Sequence, residues 1–222
     1  MKFVMSYSCG KDSTLALHKM IEDGNEPIAL IVMINEESDR SFFHGADHSM
    51  LEEYSAALDL PLLITPSKGD TYHLAMENSL RKAVEMGAEA ACFGDIDIDG
   101  NREWCEKRCI NAQINPFFPL WHRDRADNVY ELIKLGYQCL IKSINHTLLP
   151  KHLLGKMIDK DIIQEMTQCG IDICGENGEY HTLVVDGPVF KKPLLYTTGN
   201  ILDFGDYSVV DVKSKFQAKA SV

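Results

Sequence analysis

The chain has 222 residues, of which 45% are hydrophobic and 25% charged, and its formal net charge is −11 at pH 7. Such a chain can form one large or two small globular domains without disulfide bonds. The acidic balance and the lack of a Lys/Arg cluster argue against a long nucleic-acid footprint. The apolar runs are too short to span a bilayer, no cleavable signal pattern opens the chain, and the seven cysteines are scattered. We therefore expect a cytoplasmic protein with reduced thiols that binds neither membranes nor nucleic acid.

The first predicted elements are a strand, a turn and a helix. The apolar segment Phe3–Met5 predicts the strand, and the small residues of Ser6–Ser13 predict the turn. An amphipathic helix follows and ends at Gly24, with Leu17, Met20 and Ile21 expected on its buried face. This order of elements places a polar turn directly before the positive end of a helix dipole.

The composition of that turn points to phosphate. Free N–H groups at the start of a helix form an anion site. Gly10 allows close approach of the backbone, Ser8 and Ser13 supply hydroxyls, and Lys11 supplies a positive charge. Asp12 would be repelled by phosphates unless it caps the helix or holds a metal ion.

Strands and helices alternate as far as residue 112. The continuously apolar strand Ile28–Ile34 predicts a parallel βαβ unit with both faces covered. After it we expect a helix from Asp47 that stops before Pro61, a strand at 62–64, a helix at 70–86 with Leu80, Ala83 and Val84 inward, a strand at 90–93, and a helix at 101–112. Two prolines, at 116 and 119, then interrupt the alternation.

We place the domain boundary at this interruption, with an N-terminal domain of residues 1–120 and a C-terminal domain of residues 121–222. The second domain is expected to hold helices near 129–135 and 159–169 and strands at 137–144 and 183–185, before a tail of β-structure. The predicted fold class is α/β, with a Rossmann-like parallel sheet of about five strands followed by a smaller α+β domain.

A second polar cluster spans Gly175–Thr182. Two glycines permit a tight turn, and polar side chains are crowded into the seven positions 176–182: Glu176, Asn177, Glu179, His181 and Thr182. Such a cluster can orient an amine, hold Mg²⁺ or transfer protons. A solvated turn would explain the glycines and one glutamate but not this density, so chemistry is favoured.

Other candidates are weaker. His44 and His48 have the spacing of a helical metal site, but His44 is expected in a loop, which disfavours zinc. Glu103 and Arg108 lie on one predicted helix, and a ligand-facing position and a solvated surface are about equally expected for them.

Ser6–Ser13 resembles the pyrophosphate (PP) loop, Ser-x-Gly-Gly-x-Asp-Ser, of the N-type ATP pyrophosphatases. Cys9 stands where that family usually has the first glycine, a mild departure if Cys9 keeps a negative φ. Together with further segments in the same order, the chain resembles the diphthine–ammonia ligase family from Ser6 to about Phe190. Those segments are Phe93–Asp95, Phe118–Trp121, Leu154–Gly155 and Gly175–Thr182.

The resemblance implies an ATP-dependent ligase that forms C–N bonds. Such an enzyme adenylates an acceptor carboxylate, releases pyrophosphate and passes the acyl group to ammonia, with ATP and Mg²⁺ as cofactors. By analogy, ATP is bound by Ser8, Cys9, Gly10, Lys11, Asp12, Ser13, His44, Gly94 and Asp95, with Asp12 also holding Mg²⁺. Catalytic roles fall to Lys11, Asp12, Glu176, Glu179 and His181, and acceptor binding to Glu103, Arg108, Gly175, Asn177, Gly178 and Thr182.

The acceptor stays open. Asn177, Tyr180 and His181 replace the Gly, Phe and Glu of the archaeal and eukaryotic motif, a variant that resembles the bacterial members. Bacteria lack diphthamide, so the mechanism transfers better than the substrate, which can be a small molecule or a modified protein side chain. Free ammonia or a partner protein supplies the nitrogen. The oligomeric state stays open, with a homodimer as one option. The alternatives are a PP-loop pyrophosphatase with another small-molecule or tRNA acceptor, and a non-catalytic adenine-nucleotide sensor.

Overall fold

The computed structural model describes residues 1–42 and 44–215. The chain folds into two compact units. Within the described residues, the first comprises residues 1–8, 12–42, 44–45 and 59–123, and the second comprises residues 9–11, 46–58 and 124–215. Two segments from early in the sequence thus pack with its C-terminal part. The proposed division at residue 120, which treats the chain as two consecutive domains, stays a prediction.

The first unit is built on a parallel sheet of five strands in the spatial order β4-β2-β1-β5-β6. These strands are β1 (Lys2–Ser6), β2 (Glu26–Asn35), β4 (Leu62–Ser67), β5 (Ala90–Cys92) and β6 (Asn115–Phe117), and a two-residue strand, β3 (Arg40–Ser41), pairs antiparallel with the end of β2. The predicted α/β class is confirmed. Successive strands run outward from β1 to β4 and then resume on the other side of β1. The strand order therefore reverses between β1 and β5.

Helices α1 (Lys11–Glu22), α3 (Tyr72–Glu85) and α4 (Asp99–Ala112) connect these strands. Apolar side chains of the sheet and of α3 and α4 share one core, which includes Val4, Ile31, Leu80 and Cys109. None of the helices in the described part of the chain is long and apolar enough to cross a membrane.

Three local expectations were wrong. Ile21 and Val84 are each 37% exposed, because they lie at the edge of the buried stripe near the ends of their helices. The helix expected from residue 70 begins as α3 at Tyr72, because Gly69–Thr71 form a tighter 3₁₀ turn. The proline-rich interruption contains β6, which ends the parallel sheet, and an edge strand tolerates Pro116.

The second unit holds an antiparallel sheet of four strands in the order β8-β7-β10-β9. Its strands are β7 (Gln138–Asn145), β8 (Tyr180–Asp186), β9 (Tyr196–Phe204) and β10 (Tyr207–Ser214). Its helices are α2 (His48–Leu58), which packs on β10, α5 (Arg125–Leu135) and α6 (Lys160–Gln168). The tail predicted as β-structure is the β9–β10 hairpin, and the last seven residues of the predicted second domain, 216–222, lie outside the described residues.

All seven cysteines fall within the described residues, and no disulfide joins them. Six are buried, while Cys169, just after α6, is exposed. Burial holds the pKa of the Cys9, Cys92 and Cys105 thiols far above its usual range. These thiols are neutral and unreactive at physiological pH.

Candidate functional site

The first unit contains a cavity of about 580 Å³. Its lining includes residues at the carboxyl ends of three strands, namely Ser6–Ser8 after β1, Met33 in β2, and Phe93–Asp95 after β5. Open α/β sheets bind ligands at this edge, in the crevice where the strand order reverses. The volume is in the range of small-molecule sites.

One wall of the cavity is aromatic. The Phe42 and Tyr72 rings meet edge to face with centroids 4.9 Å apart, and the Tyr72 and Trp104 centroids lie 5.7 Å apart. Burial, with the nearby Cys105 and Asp95, raises the pKa of Tyr72 to about 12, so its hydroxyl is neutral. Flat, apolar walls of this kind suit a planar heterocycle. These three aromatic residues were not among the predicted site residues.

Another part of the lining is polar and contains residues of the predicted PP loop. The hydroxyl oxygens of Ser8 and Ser13 are 3.0 Å apart, and the Ser8 N–H donates to Ser13 Oγ at 3.3 Å. Both serines line the cavity, as do Asp12 and the predicted nucleotide-site residue His44. The structure therefore brings together residues from the loop and from the segment after β3.

Gly94 is packed against the start of α1. A Cβ atom at this position would lie 2.9 Å from both the Asp12 carbonyl carbon and the Ser13 nitrogen. Real Cβ atoms essentially never come this close to backbone, so only glycine fits here without moving the loop. Gly94 therefore lies directly against Asp12 and Ser13, although the two segments are far apart in sequence.

Asp95 adds a second carboxylate beside Asp12. Burial raises the pKa of Asp95 above its usual range and the charge of Asp12 raises it further, while the Cys105 thiol, 3.8 Å away, donates to the carboxylate and lowers it. Two acidic side chains that face one cavity make it attractive to a cation. Carboxylate oxygens are the ligands that Mg²⁺ prefers, so this pair fits a magnesium ion.

The middle of the loop, Cys9–Lys11, belongs to the second unit. Cys9 has a φ of +71°. The condition for a mild departure from the family's glycine, a negative φ at Cys9, is therefore not met. A left-handed conformation costs a non-glycine residue roughly 1–2 kcal/mol. The Cys9 carbonyl accepts hydrogen bonds from the Val184 N–H at 2.9 Å and from the Tyr54 hydroxyl at 3.4 Å.

Lys11 is buried within the second unit. Its N–H donates to Thr182 Oγ1 at 3.1 Å, and its ammonium lies 5.6 Å from the centre of the Tyr180 ring. Tyr180 follows Glu179 directly, and its hydroxyl donates to the Ile173 carbonyl at 2.6 Å. A phenylalanine at this position could not make that hydrogen bond.

The acceptor turn, which we define as Gly175–Thr182, leads into β8. Gly175 and Gly178 both have positive φ. The buried Glu179 carboxylate accepts from the Asn177 N–H at 3.0 Å, from Asn177 Nδ2 at 3.1 Å and from the Asp172 N–H at 3.3 Å. Glu179 thus holds the turn together from inside, whereas Glu176 and His181 are only half-buried.

One set of contacts that supports this turn was not predicted from the sequence. Asp172 accepts from the Cys174 N–H at 2.9 Å and pairs with Arg125 at 2.6 Å. Arg125 begins α5, 47 residues earlier in the chain. No local pattern signals such a pair, because each residue alone looks like an ordinary charged residue next to a helix.

Glu103 and Arg108 lie on α4 away from the lining of the cavity in the described residues. Glu103 is exposed. Arg108 is buried and pairs with Glu77 at 3.2 Å, and it contacts the Trp104 ring, 5.4 Å from its centre. A hydrogen bond from Asn111, followed by Arg108 and Arg81, lowers the pKa of Glu77. The acceptor-binding roles of Glu103 and Arg108 stay predictions.

A loop of hydroxyls, glycine and lysine at the switch point of a parallel sheet, beside an aromatic cavity, defines a nucleotide-binding α/β protein of the PP-loop class. Family models give the particular family: residues 1–116 match the diphthamide synthase N-terminal domain, and residues 124–217 match its C-terminal domain. The chain belongs to the diphthine–ammonia ligase family, which confirms the resemblance drawn from its motifs.

Named relatives agree with this assignment. A diphthine–ammonia ligase of Danio rerio is 30% identical over 219 residues, which cover 88% of this chain and 86% of that protein. The Homo sapiens diphthine–ammonia ligase is 26% identical over 91% of this chain and 85% of its own length. A solved structure, a predicted subunit of tRNA methyltransferase from Methanocaldococcus jannaschii, has a TM-score of 0.45 at 15% identity over 87% of this chain and 100% of that one. A likeness this loose carries no argument.

Proposed function

We propose that this protein is an ATP-dependent ligase that adenylates an acceptor carboxylate, releases pyrophosphate and transfers the acyl group to ammonia as an amide. The observation that carries the proposal is the PP loop at the reversal of strand order, packed against Gly94. The names of the relatives support the same reaction class.

In this proposal the aromatic wall binds the adenine ring of ATP, and the start of α1 binds its phosphates. Ser8 and Ser13 donate hydroxyl hydrogens to phosphate oxygens, and the Lys11 ammonium offsets their charge. A carboxylate oxygen of the acceptor attacks the α-phosphorus, the bond to the β-phosphate breaks, and pyrophosphate leaves with the electron pair. The protein contributes positioning and charge stabilisation rather than a covalent intermediate of its own.

The Asp12 and Asp95 carboxylates would hold Mg²⁺, which when bound supplies positive charge to the phosphate oxygens. Asp12 beside a phosphate site would otherwise be a repulsive group. The raised pKa of Asp95, caused by burial and by Asp12, supports the same assignment.

The acceptor turn would serve the second step. Ammonia attacks the acyl carbon, AMP leaves, and the nitrogen loses a proton. Glu179 is occupied by N–H groups of the turn and of Asp172, so we assign ammonium binding and proton uptake to the half-buried Glu176 and His181.

The acceptor class follows from the relatives, which are named for diphthine. A protein that bears diphthine is therefore the first acceptor to test. A small carboxylate is the second candidate, favoured by Tyr180 and His181, which stand where the family usually has Phe and Glu.

The test supplies ATP, Mg²⁺, ammonium and each acceptor to the purified protein, and measures AMP, pyrophosphate and amide. We expect the three products in equal amounts. With an acceptor carboxylate labelled with ¹⁸O, one labelled oxygen should appear in AMP. Release of ADP and phosphate, or AMP without label, would overturn the proposal. Tight ATP binding without turnover for any acceptor would favour a nucleotide sensor instead.

A further inference from the structure

The PP loop is anchored by residues that lie outside it. Within the second unit, three hydrogen bonds reach the backbone of Cys9–Lys11. The Val184 N–H and the Tyr54 hydroxyl donate to the Cys9 carbonyl, and Thr182 Oγ1 accepts from the Lys11 N–H. Tyr54 is fully buried and Thr182 is 1% exposed, so water does not compete for these contacts.

The spacing of these contacts is that of an antiparallel ladder. Cys9 and Lys11 are two residues apart, and their partners in β8, Val184 and Thr182, are two residues apart in the opposite direction. The Thr182 hydroxyl takes the place of a backbone carbonyl as the acceptor. Cys9 and Lys11 therefore hydrogen-bond to β8 at two positions in the manner of a neighbouring strand, although the loop is not a strand.

These contacts bear directly on the unfavourable conformation of the loop. Cys9 has a φ of +71°, which a residue with a side chain adopts only when its surroundings over-determine it. The bonds to the Cys9 carbonyl and the Lys11 N–H fix the two peptide groups on either side of Gly10. The directions of the loop's N–H groups depend on those peptide planes.

We propose that Thr182 and Tyr54 are positioning residues that hold the PP loop in its phosphate-binding conformation. This inference rests on the proposed function, because it takes nucleotide phosphates as the ligand of the loop. It gives Thr182 a role in nucleotide binding, distinct from the acceptor contact that the family resemblance implies.

The experiment compares the Kd of ATP with the Kd of adenosine by calorimetry. Thr182→Val removes the acceptor with little change in volume, and Thr182→Ser restores a hydroxyl. We expect Thr182→Val to weaken ATP binding roughly tenfold, the effect of one lost hydrogen bond, while adenosine binding stays within about twofold. Thr182→Ser should recover most of the loss. Tyr54→Phe should weaken ATP roughly threefold, because its hydrogen bond is longer.

Thr198→Val, on the exposed strand β9, is the matched control and should change neither Kd. Equal weakening of ATP and adenosine by Thr182→Val would show general damage and overturn the inference. So would an unchanged ATP Kd, or a failure of Thr182→Ser to rescue it. If the wild-type protein binds ATP no more tightly than adenosine, the inference and the proposed function fall together. If ATP binding behaves as expected but no pyrophosphate is released, only the proposed function fails.

Discussion

The cavity of the first unit and the acceptor turn of the second unit both combine glycines with carboxylates, yet they use them differently. In the cavity, Asp12 and Asp95 line an open volume, and their charges influence each other. In the turn and directly before it, the Glu179 and Asp172 carboxylates accept hydrogen bonds from backbone N–H groups within residues 172–177. A dense cluster of polar residues can therefore build a binding site or build the loop that presents one.

The largest expected effect tests the cavity. Asp12→Ala should reduce pyrophosphate release roughly a thousandfold, because it removes a carboxylate that, in the proposed function, would hold the charge-stabilising cation. Adenosine binding should be unchanged. The control is Glu22→Ala at the exposed end of the same helix, which should retain full activity. Activity of Asp12→Ala within tenfold of wild type would remove Asp12 from the reaction.

The next prediction separates the two glutamates of the turn. Glu176→Gln should lower amide formation roughly a hundredfold with an unchanged melting temperature, as expected for a group that transfers a proton. Glu179→Gln should also lower amide formation, but it should destabilise the protein by roughly 1–3 kcal/mol, because its oxygens satisfy buried N–H groups.

For both glutamate variants the Kd of ATP should stay at the wild-type value, measured by calorimetry alongside thermal unfolding. Loss of ATP binding in Glu179→Gln would contradict the assignment of Glu179 to the acceptor step alone. A wild-type melting temperature for Glu179→Gln would contradict its structural role in the turn.

A smaller effect is expected from Gly94→Ala. The added Cβ would meet the backbone of Asp12 and Ser13 at 2.9 Å, so the loop must shift and its contacts with phosphate weaken. We expect the Kd of ATP to rise roughly tenfold. Gly100→Ala is the matched control, because nothing lies within 4 Å of its Cβ position. Equal Kd values for the two variants would show that the close approach at Gly94 is unimportant.

The smallest effect concerns stability and pH. The folded-state pKa of Asp95 lies above its unfolded value, so its ionisation opposes folding at pH values above the folded pKa. That penalty fades as pH falls and is absent below the unfolded value of about 3.9. Asp95→Asn should therefore raise the melting temperature at pH 7 by a few degrees at most and leave it unchanged at pH 3. Catalysis should fall in the same variant, and a lower melting temperature at pH 7 would contradict the sign.

The strand–turn–helix of the phosphate loop and the alternation of strands and helices in the first unit could be predicted because their signals are local. An apolar strand, a turn of small residues and an amphipathic helix occupy the first 24 positions without interruption. The β6 strand could not be predicted, because its position at the edge of the sheet, which makes Pro116 acceptable, depends on the assembled fold.

The walls of the site were harder to predict than its loop. Tyr72 and Trp104 lie on helices α3 and α4, and a large aromatic residue on a helix usually belongs to the core. The positive φ of Cys9 could not be predicted, because glycine is the residue from which that conformation is expected in a sequence. Glu179 was recognised as important, but which way its carboxylate points depends on Asp172 and Asn177, which the chain brings to it only on folding.

The burial of the cysteines has a practical consequence for work in solution. Six thiols are shielded and one, Cys169, lies exposed at the end of α6. A maleimide reagent should therefore attach a single fluorophore to the folded wild-type chain, without prior substitution of the other cysteines. Each further adduct seen by mass spectrometry in denaturant would mark the opening of a buried region, so the chain carries its own reporters of local unfolding.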